Sequence, residues 1–326
     1  MPLVRALNPA NFNRDTPVVL FPVKRAIRID GFSFGFGEGE EAAGQNPAPG
    51  ATICYYLAKK PAGPVTLRFY TASGQLVKEI SSEPTAAQKA EMAAAGGGGF
   101  RRGPALAPAK EGLNRFLWNM RYADATGFPG LLMWAGSLTG PEIVPGQYKV
   151  ELTADGKTET QPFTVIKDPR APSTPDDFDK QLALALKIRD RVSAADSAVV
   201  NIRPALDQLK PYSASSNQKV AGMAKDLSDQ LTAIEESIYQ TKLHADEDAL
   251  NYPIKLNNKL AAVGETVQLT DVAPTAQSYA VFDELNAQLQ TQLDHLHQIQ
   301  TSGIANFNKL VRDQKIPAVS LSGAAE

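Results

Sequence analysis

The sequence predicts an α+β protein of two domains: an antiparallel β-sandwich of the immunoglobulin or fibronectin III kind, followed by an antiparallel three-helix bundle. Three observations predict it. Short runs dense in β-branched and aromatic residues fill residues 17–167, with no long helical pattern between them. Three apolar stripes with steps of three and four run through residues 174–311. Between them, residues 168–173 form a proline-bearing linker, and residues 312–326 read as a disordered tail.

In chain order, Val18-Val19-Leu20-Phe21, Thr52-Ile53-Cys54-Tyr55-Tyr56-Leu57 and Val65-Thr66-Leu67-Arg68-Phe69-Tyr70 read as strands, because such side chains suit a pleated, half-buried surface. Ala72-Ser73-Gly74-Gln75 then supplies a turn, and Leu76-Val77-Lys78-Glu79-Ile80 returns as a hairpin partner. Leu113 to Met120 alternates apolar and polar at period two, which places Trp118 in the core. Tyr148 to Leu152 and Phe163 to Ile166 form a second hairpin around Asp155-Gly156. Strands linked by turns favour an antiparallel sandwich, with a small open barrel as the rival topology. Two segments, Gly31 to Gly50 and Glu83 to Gly112, are rich in Gly, Ala and Pro and read as long loops.

Thr174-Pro175-Asp176-Asp177 opens the first helix with a capping oxygen, proline at the first helical position and acids in the first turn. Val192, Ala195, Val199, Ile202, Leu206 and Leu209 mark one face and keep register across Pro204, so a single helix kinked there is expected rather than two separate helices. Val220, Met223, Leu227, Leu231, Ile234 and Ile238 mark the second helix, and Phe282, Leu285, Leu289, Leu296 and Ile299 the third. Asn251 to Leu260 reads as a cap plus a short helix, its asparagines serving as caps.

Composition excludes several chemistries. The 33 basic and 35 acidic residues of the 326 are interspersed, so no electrostatic footprint for nucleic acid is expected. No stretch approaches the ~18 apolar residues of a membrane span, and Met1-Pro2-Leu3-Val4-Arg5 lacks the apolar core of a signal peptide. One cysteine, Cys54, excludes an internal disulfide and paired-thiolate zinc, and its apolar run predicts a core thiol. His295 and His297 stand about 200° apart around a helix and do not share a metal. The β-rich half has no histidine for a Ser-His-Asp relay, and Gly96 to Gly99 lacks the lysine and hydroxyl of a phosphate loop. No catalytic residue, metal site or cofactor is assigned.

Glycoside hydrolysis needs only two carboxylates. Asp124, Glu142, Asp155 and Asp168 are the available acids, and they read as solvated surface groups. Aromatic residues in or beside loops are candidate contact platforms: Phe32, Phe34, Phe36, Phe100 and Trp134. Of these, Trp134, Phe100 and Phe34 are the expected ligand-binding residues, against the alternative that they fold back as plugs over the sandwich.

Glu111-Gly112-Leu113-Asn114-Arg115-Phe116-Leu117-Trp118-Asn119-Met120-Arg121-Tyr122, Pro145-Gly146-Gln147-Tyr148, Lys167-Asp168-Pro169-Arg170 and Asn251 to Leu260 occur in an order that resembles the C-terminal region of bacterial sortilin-like or BNR-repeat β-propeller proteins, often labelled glycosyl hydrolases. The resemblance implies an exported protein whose propeller, absent from this chain, would hold any glycosidase-like site. It therefore implies a non-catalytic accessory region at the cell surface, in the periplasm or outside the cell. Its expected partner is a β-propeller or other protein surface, or a glycan, with no nucleic acid and no membrane span. The alternative is a glycoside hydrolase or carbohydrate-binding module acting through the β-rich half.

Overall fold

The computed structural model describes residues 7, 12–29, 50–86, 88, 89 and 105–314. Phe32, Phe34, Phe36, Phe100, the glycine run 96–99, most of the two expected loops and the expected tail beyond residue 314 lie outside the described residues. The chain divides into two compact units: Met1–Asp124 with Thr139–Leu184 and Gln268–Pro274, and Ala125–Leu138 with Ala185–Val267 and Thr275–Glu326.

Among its described residues the first unit holds eight strands: β1 (Val18–Leu20), β2 (Ala26–Arg28), β3 (Ala51–Leu57), β4 (Thr66–Thr71), β5 (Leu76–Ser81), β6 (Gly112–Trp118), β7 (Gly146–Ala154) and β8 (Lys157–Lys167). β1, β3 and β6 form an antiparallel sheet, and β2, β8, β7, β4 and β5, in that order, form a second. Both expected hairpins are present. The β7–β8 turn places Asp155 and Gly156 at φ +47° and +74°, the pair of left-handed residues that a two-residue hairpin turn needs. Trp118 stacks on Phe69 at 4.0 Å between ring centroids and meets Phe163 edge-on, so side chains of both sheets share one core.

This is not the predicted antiparallel sandwich. The second sheet curls into a half-barrel, and it is mixed because β2 runs parallel to β8, with Ala26 opposite Val165 and Arg28 opposite Lys167. Three residues, Ala-Ile-Arg, carry too little pattern to announce a strand, and the third fills an inward position with a charge. That charge is held: Arg28 is buried, donating from Nε at 3.0 Å and Nη2 at 2.5 Å to Asp271 Oδ1, from Nη2 to Gln181 Oε1 at 2.7 Å, and from Nη1 to the Ile143 carbonyl at 3.0 Å. Its guanidinium lies 4.7 Å from the Phe178 ring centroid. Cys54 also departs from expectation. Strand alternation turns Ile53 and Tyr55 into the core and leaves Cys54 half-buried on the other face, with burial raising its thiol pKa.

The helices after residue 174 are, among the described residues, α1 (Pro175–Ser213), α2 (Gln218–Ile238), α3 (Leu256–Val267), α4 (Ala276–Gln298) and α5 (Ile304–Asp313), with a 3₁₀ turn at Asp246–Leu250 and a π-helical turn at Ile299–Gly303. α1 starts as predicted: Thr174 Oγ1 accepts the Asp177 N–H, and Asp177 answers by accepting the Thr174 N–H at 2.8 Å. It runs unbroken through Pro204 and Pro211. Its first ten residues belong to the first unit and the rest to the second.

The second unit is not a clear three-helix bundle. α2 packs against α3, α4 and α5, and Tyr212 of α1 meets Phe307 of α5 edge-on at 5.2 Å. Two features overturn the three-stripe reading. α3 is a core element, burying Leu256, Asn257, Asn258, Leu260, Ala261, Gly264 and Val267. The third stripe continues through the π turn into α5, where Ile304, Phe307 and Val311 are buried.

Candidate functional site

Within the second unit, α1, the end of α2, the start of α3 and the loop Ala125–Leu138 come together around buried polar groups. The loop is pinned at three places. Thr126 donates its N–H to Ser193 Oγ at 3.0 Å, Leu132 donates to the Tyr239 hydroxyl at 3.4 Å, and Trp134 donates to Asn258 Oδ1 at 2.8 Å. Asn258 returns its own amide to the carbonyls of Trp134, at 2.5 Å, and Ala135, at 2.9 Å. One buried side-chain amide thus holds the Trp134 residue from both its N–H and its C=O.

Beyond Trp134 the chain turns sharply, with Ala135 at φ +50° and Gly136 at φ +136°. A left-handed alanine costs about 1–2 kcal/mol, and the Asn258 bond to its carbonyl offsets part of that. At Gly136 a Cβ would stand 2.9 Å from Ala261 Cβ and from the Ala262 nitrogen, so glycine is needed for the loop to approach α3. The result is a fixed backbone beneath an indole that is 41% exposed.

Asn258 is itself held. Its N–H donates to Asn257 Oδ1 at 2.7 Å, and Asn257 Nδ2 donates to Asp196 Oδ1 at 2.9 Å. Asp196 is fully buried, and its Oδ2 has no hydrogen-bond partner among the described residues. Burial, opposed by the Asn257 hydrogen bond, pushes its pKa up to about 7. The group is a neutral acid through the mildly acidic range. Nearby, Arg203 donates to Glu235 Oε1 at 2.8 Å and lies over the rings of Phe128 at 4.6 Å and Tyr239 at 5.6 Å. Phe128 and Tyr239 meet edge-on at 5.1 Å. Burial raises the Tyr239 phenol pKa, against the Leu132 hydrogen bond and the Arg203 charge.

A carboxyl with no accessible surface touches no substrate in this conformation, so the cluster's chemistry is positional: it fixes the shape and orientation of the Trp134 loop. The sequence reading named Trp134 but missed Asp196, Asn257 and Asn258. Asp196 had a signal, since it lies four residues after Val192 and three before Val199, inside the α1 apolar stripe. From spacing alone the two asparagines read as helix caps.

The carboxylates considered for glycoside hydrolysis are engaged elsewhere, all in the first unit. Asp124 receives the Lys78 ammonium at 3.1 and 3.2 Å and the Gly140 N–H at 2.9 Å. Glu142 lies 3.8 Å from Arg121 and 3.9 Å from Arg28. Asp155 accepts the Ala62 N–H, and hydrogen bonds from Arg170 hold the Asp168 carboxyl well below the usual carboxylate range. Among the described residues there is no group of three or more His, Cys, Asp or Glu able to hold a metal ion, and no helix long and apolar enough to cross a membrane.

No family model matches this chain. No curated protein matches it either. Among solved structures, one titled pT26-6p aligns over 81% of this chain and 46% of its own length, at 12% identity. With a TM-score of 0.16, that likeness carries no argument about fold or function.

Proposed function

We propose that this chain is a non-catalytic accessory region of a larger exported protein, acting by contact through the Trp134 loop rather than by making or breaking bonds. The observation that carries the reading is the two-sided clamp of Asn258 on the Trp134 peptide beneath an exposed indole. A large aromatic presented on a pre-ordered backbone loses little entropy when it docks, which is what recognition anchors require. The resemblance of Glu111–Tyr122 and the other quoted segments to propeller-protein tails supplies the setting, at the cell surface or outside the cell.

The partner is an apolar protein surface, and a β-propeller encoded in the same reading frame is the foremost candidate. Gly130-Leu131-Leu132-Met133-Trp134-Ala135-Gly136 is uncharged, and its Met and Trp are types enriched at protein interfaces. A sugar site would want polar groups converging around the ring.

The test begins with the reading frame upstream of Met1. The domain found there is expressed separately and titrated with this chain by calorimetry. Trp134→Ala is expected to weaken the affinity about 30-fold, the loss typical of an aromatic anchor. Unchanged affinity, or an upstream stop codon, overturns the reading. Trp134-dependent retention on immobilised polysaccharide would overturn the choice of partner and assign a glycan instead.

A further inference from the structure

We propose that the protonation state of Asp196 governs how firmly Trp134 is presented, through the hydrogen-bonded chain Asp196, Asn257, Asn258, Trp134, an inference that rests on Trp134 being the contact residue. Each link is geometric: 2.9 Å from Asn257 to Asp196, 2.7 Å from Asn258 to Asn257, and 2.8 Å from Trp134 to Asn258. Each asparagine uses both ends of its amide, so a displacement at one end passes to the next residue rather than being absorbed.

The neutral carboxyl sits in this place at tolerable cost, whereas a carboxylate does not, because a buried charge needs several donors or a cation. Of the charged groups nearby, Arg203 of α1 and Glu235 of α2 act, together with Asp196, on the Tyr239 phenol, whereas Asp196 itself responds to burial and to the Asn257 hydrogen bond. Arg203 is turned onto Glu235. α3 contributes the uncharged Asn257, and the loop contributes the uncharged Phe128. None of these supplies Oδ2 with a partner. An ionised Asp196 therefore draws the Asn257 amide toward itself or admits water, and either event loosens Asn258 and the two carbonyls it holds. With burial placing the transition close to neutrality, the loop is firm in mildly acidic surroundings and slack in mildly alkaline ones.

The experiment uses the full chain labelled with 5-fluorotryptophan and read by fluorine NMR between about pH 5.5 and 8.5, the range that brackets such a transition. There are two tryptophans, and buried Trp118 in the first unit is the internal control. The Trp134 resonance is expected to titrate with a midpoint near pH 7, and its quenching by iodide to rise at least twofold across the transition. Asp196→Asn, which mimics the neutral acid, is expected to hold that resonance at its low-pH position throughout. Asn257→Ala cuts the second link and is expected to abolish the titration while leaving Asp196 in place. A flat wild-type resonance overturns the proposal, as does a midpoint that survives either variant. If Trp134→Ala leaves partner affinity unchanged while the titration persists, the contact reading falls and the linkage stands.

Discussion

Each unit buries carboxyl groups, and two of them, Asp271 and Asp196, are kept in opposite ways. In the first, Asp271 faces Arg28, whose guanidinium gives it two N–H donors while two more go to Gln181 and Ile143. In the second, Asp196 has one amide and no cation bonded to it, and it gives up its charge. The first arrangement is an ion pair spread over β2, α1 and residues 268–274 of one unit. It ties distant parts of the chain together. The second ties two neighbouring residues of α3 to a loop and depends on a proton. A charge that is paired serves as a rivet, and an acid that is neutral serves as a hinge pin that can be withdrawn.

The contrast can be broken most severely at Arg28. Arg28→Met removes the cation and leaves Asp271 buried, so urea unfolding should show a loss of about 3–5 kcal/mol at neutral pH. A loss below about 1 kcal/mol, the range of exposed pairs, would mean the cluster is no rivet.

At Asp196 the sign is reversed. Because its folded pKa is raised above the unfolded value, the folded state holds the proton more tightly. Its contribution is then intact below the unfolded pKa near 3.8 and is progressively lost as pH rises to about 7. Asp196→Asn should therefore gain about 2–4 kcal/mol relative to wild type above that transition and little or nothing in acid. Parallel stability curves for the two proteins would show that Asp196 does not titrate in this way. Asn258→Ala comes next, with an expected loss of about 1–3 kcal/mol from unsatisfied backbone groups and a rise in iodide quenching of Trp134. Trp134→Phe should be smallest, within about 0.5 kcal/mol of wild type, since an exposed ring serves the surface and not the core. A larger loss would reassign Trp134 to packing.

The parts legible in the sequence are those in which one rule of spacing acts alone. Asp155-Gly156 announced its hairpin because only a few residue pairs tolerate two positive φ angles. Thr174-Pro175 announced α1 because capping chemistry is local, and the strand of Trp118 followed from period two. The parts that were hidden rest on partners far along the chain. β2 is three residues long and is a strand only because β8, some 140 positions later, offers it an edge. Asn257 and Asn258 look like caps until Asp196 and the Trp134 loop are brought to them. Arg28 breaks the apolar rule of its strand and is tolerated because Asp271, 243 residues away, answers it.

The π-helical turn at Ile299–Gly303 carries a lesson about length. Between Ile299 and Ile304 the spacing is five, and in a straight α-helix five steps would swing the second isoleucine about 140° off the buried face. The wider turn absorbs that swing, so Phe282, Leu285, Leu289 and Leu296 before it and Phe307 and Val311 after it are all buried. A bulge of this kind is how a helix accommodates one residue more than its periodicity allows. Deleting Thr301, which is exposed, would bring the two isoleucines to a spacing of four and leave an ordinary helix with its face still in phase. Seen so, the rod from α4 to α5 carries a single surplus residue, and this stretch of the chain tolerates a change of length where most helices tolerate only a change of side chain.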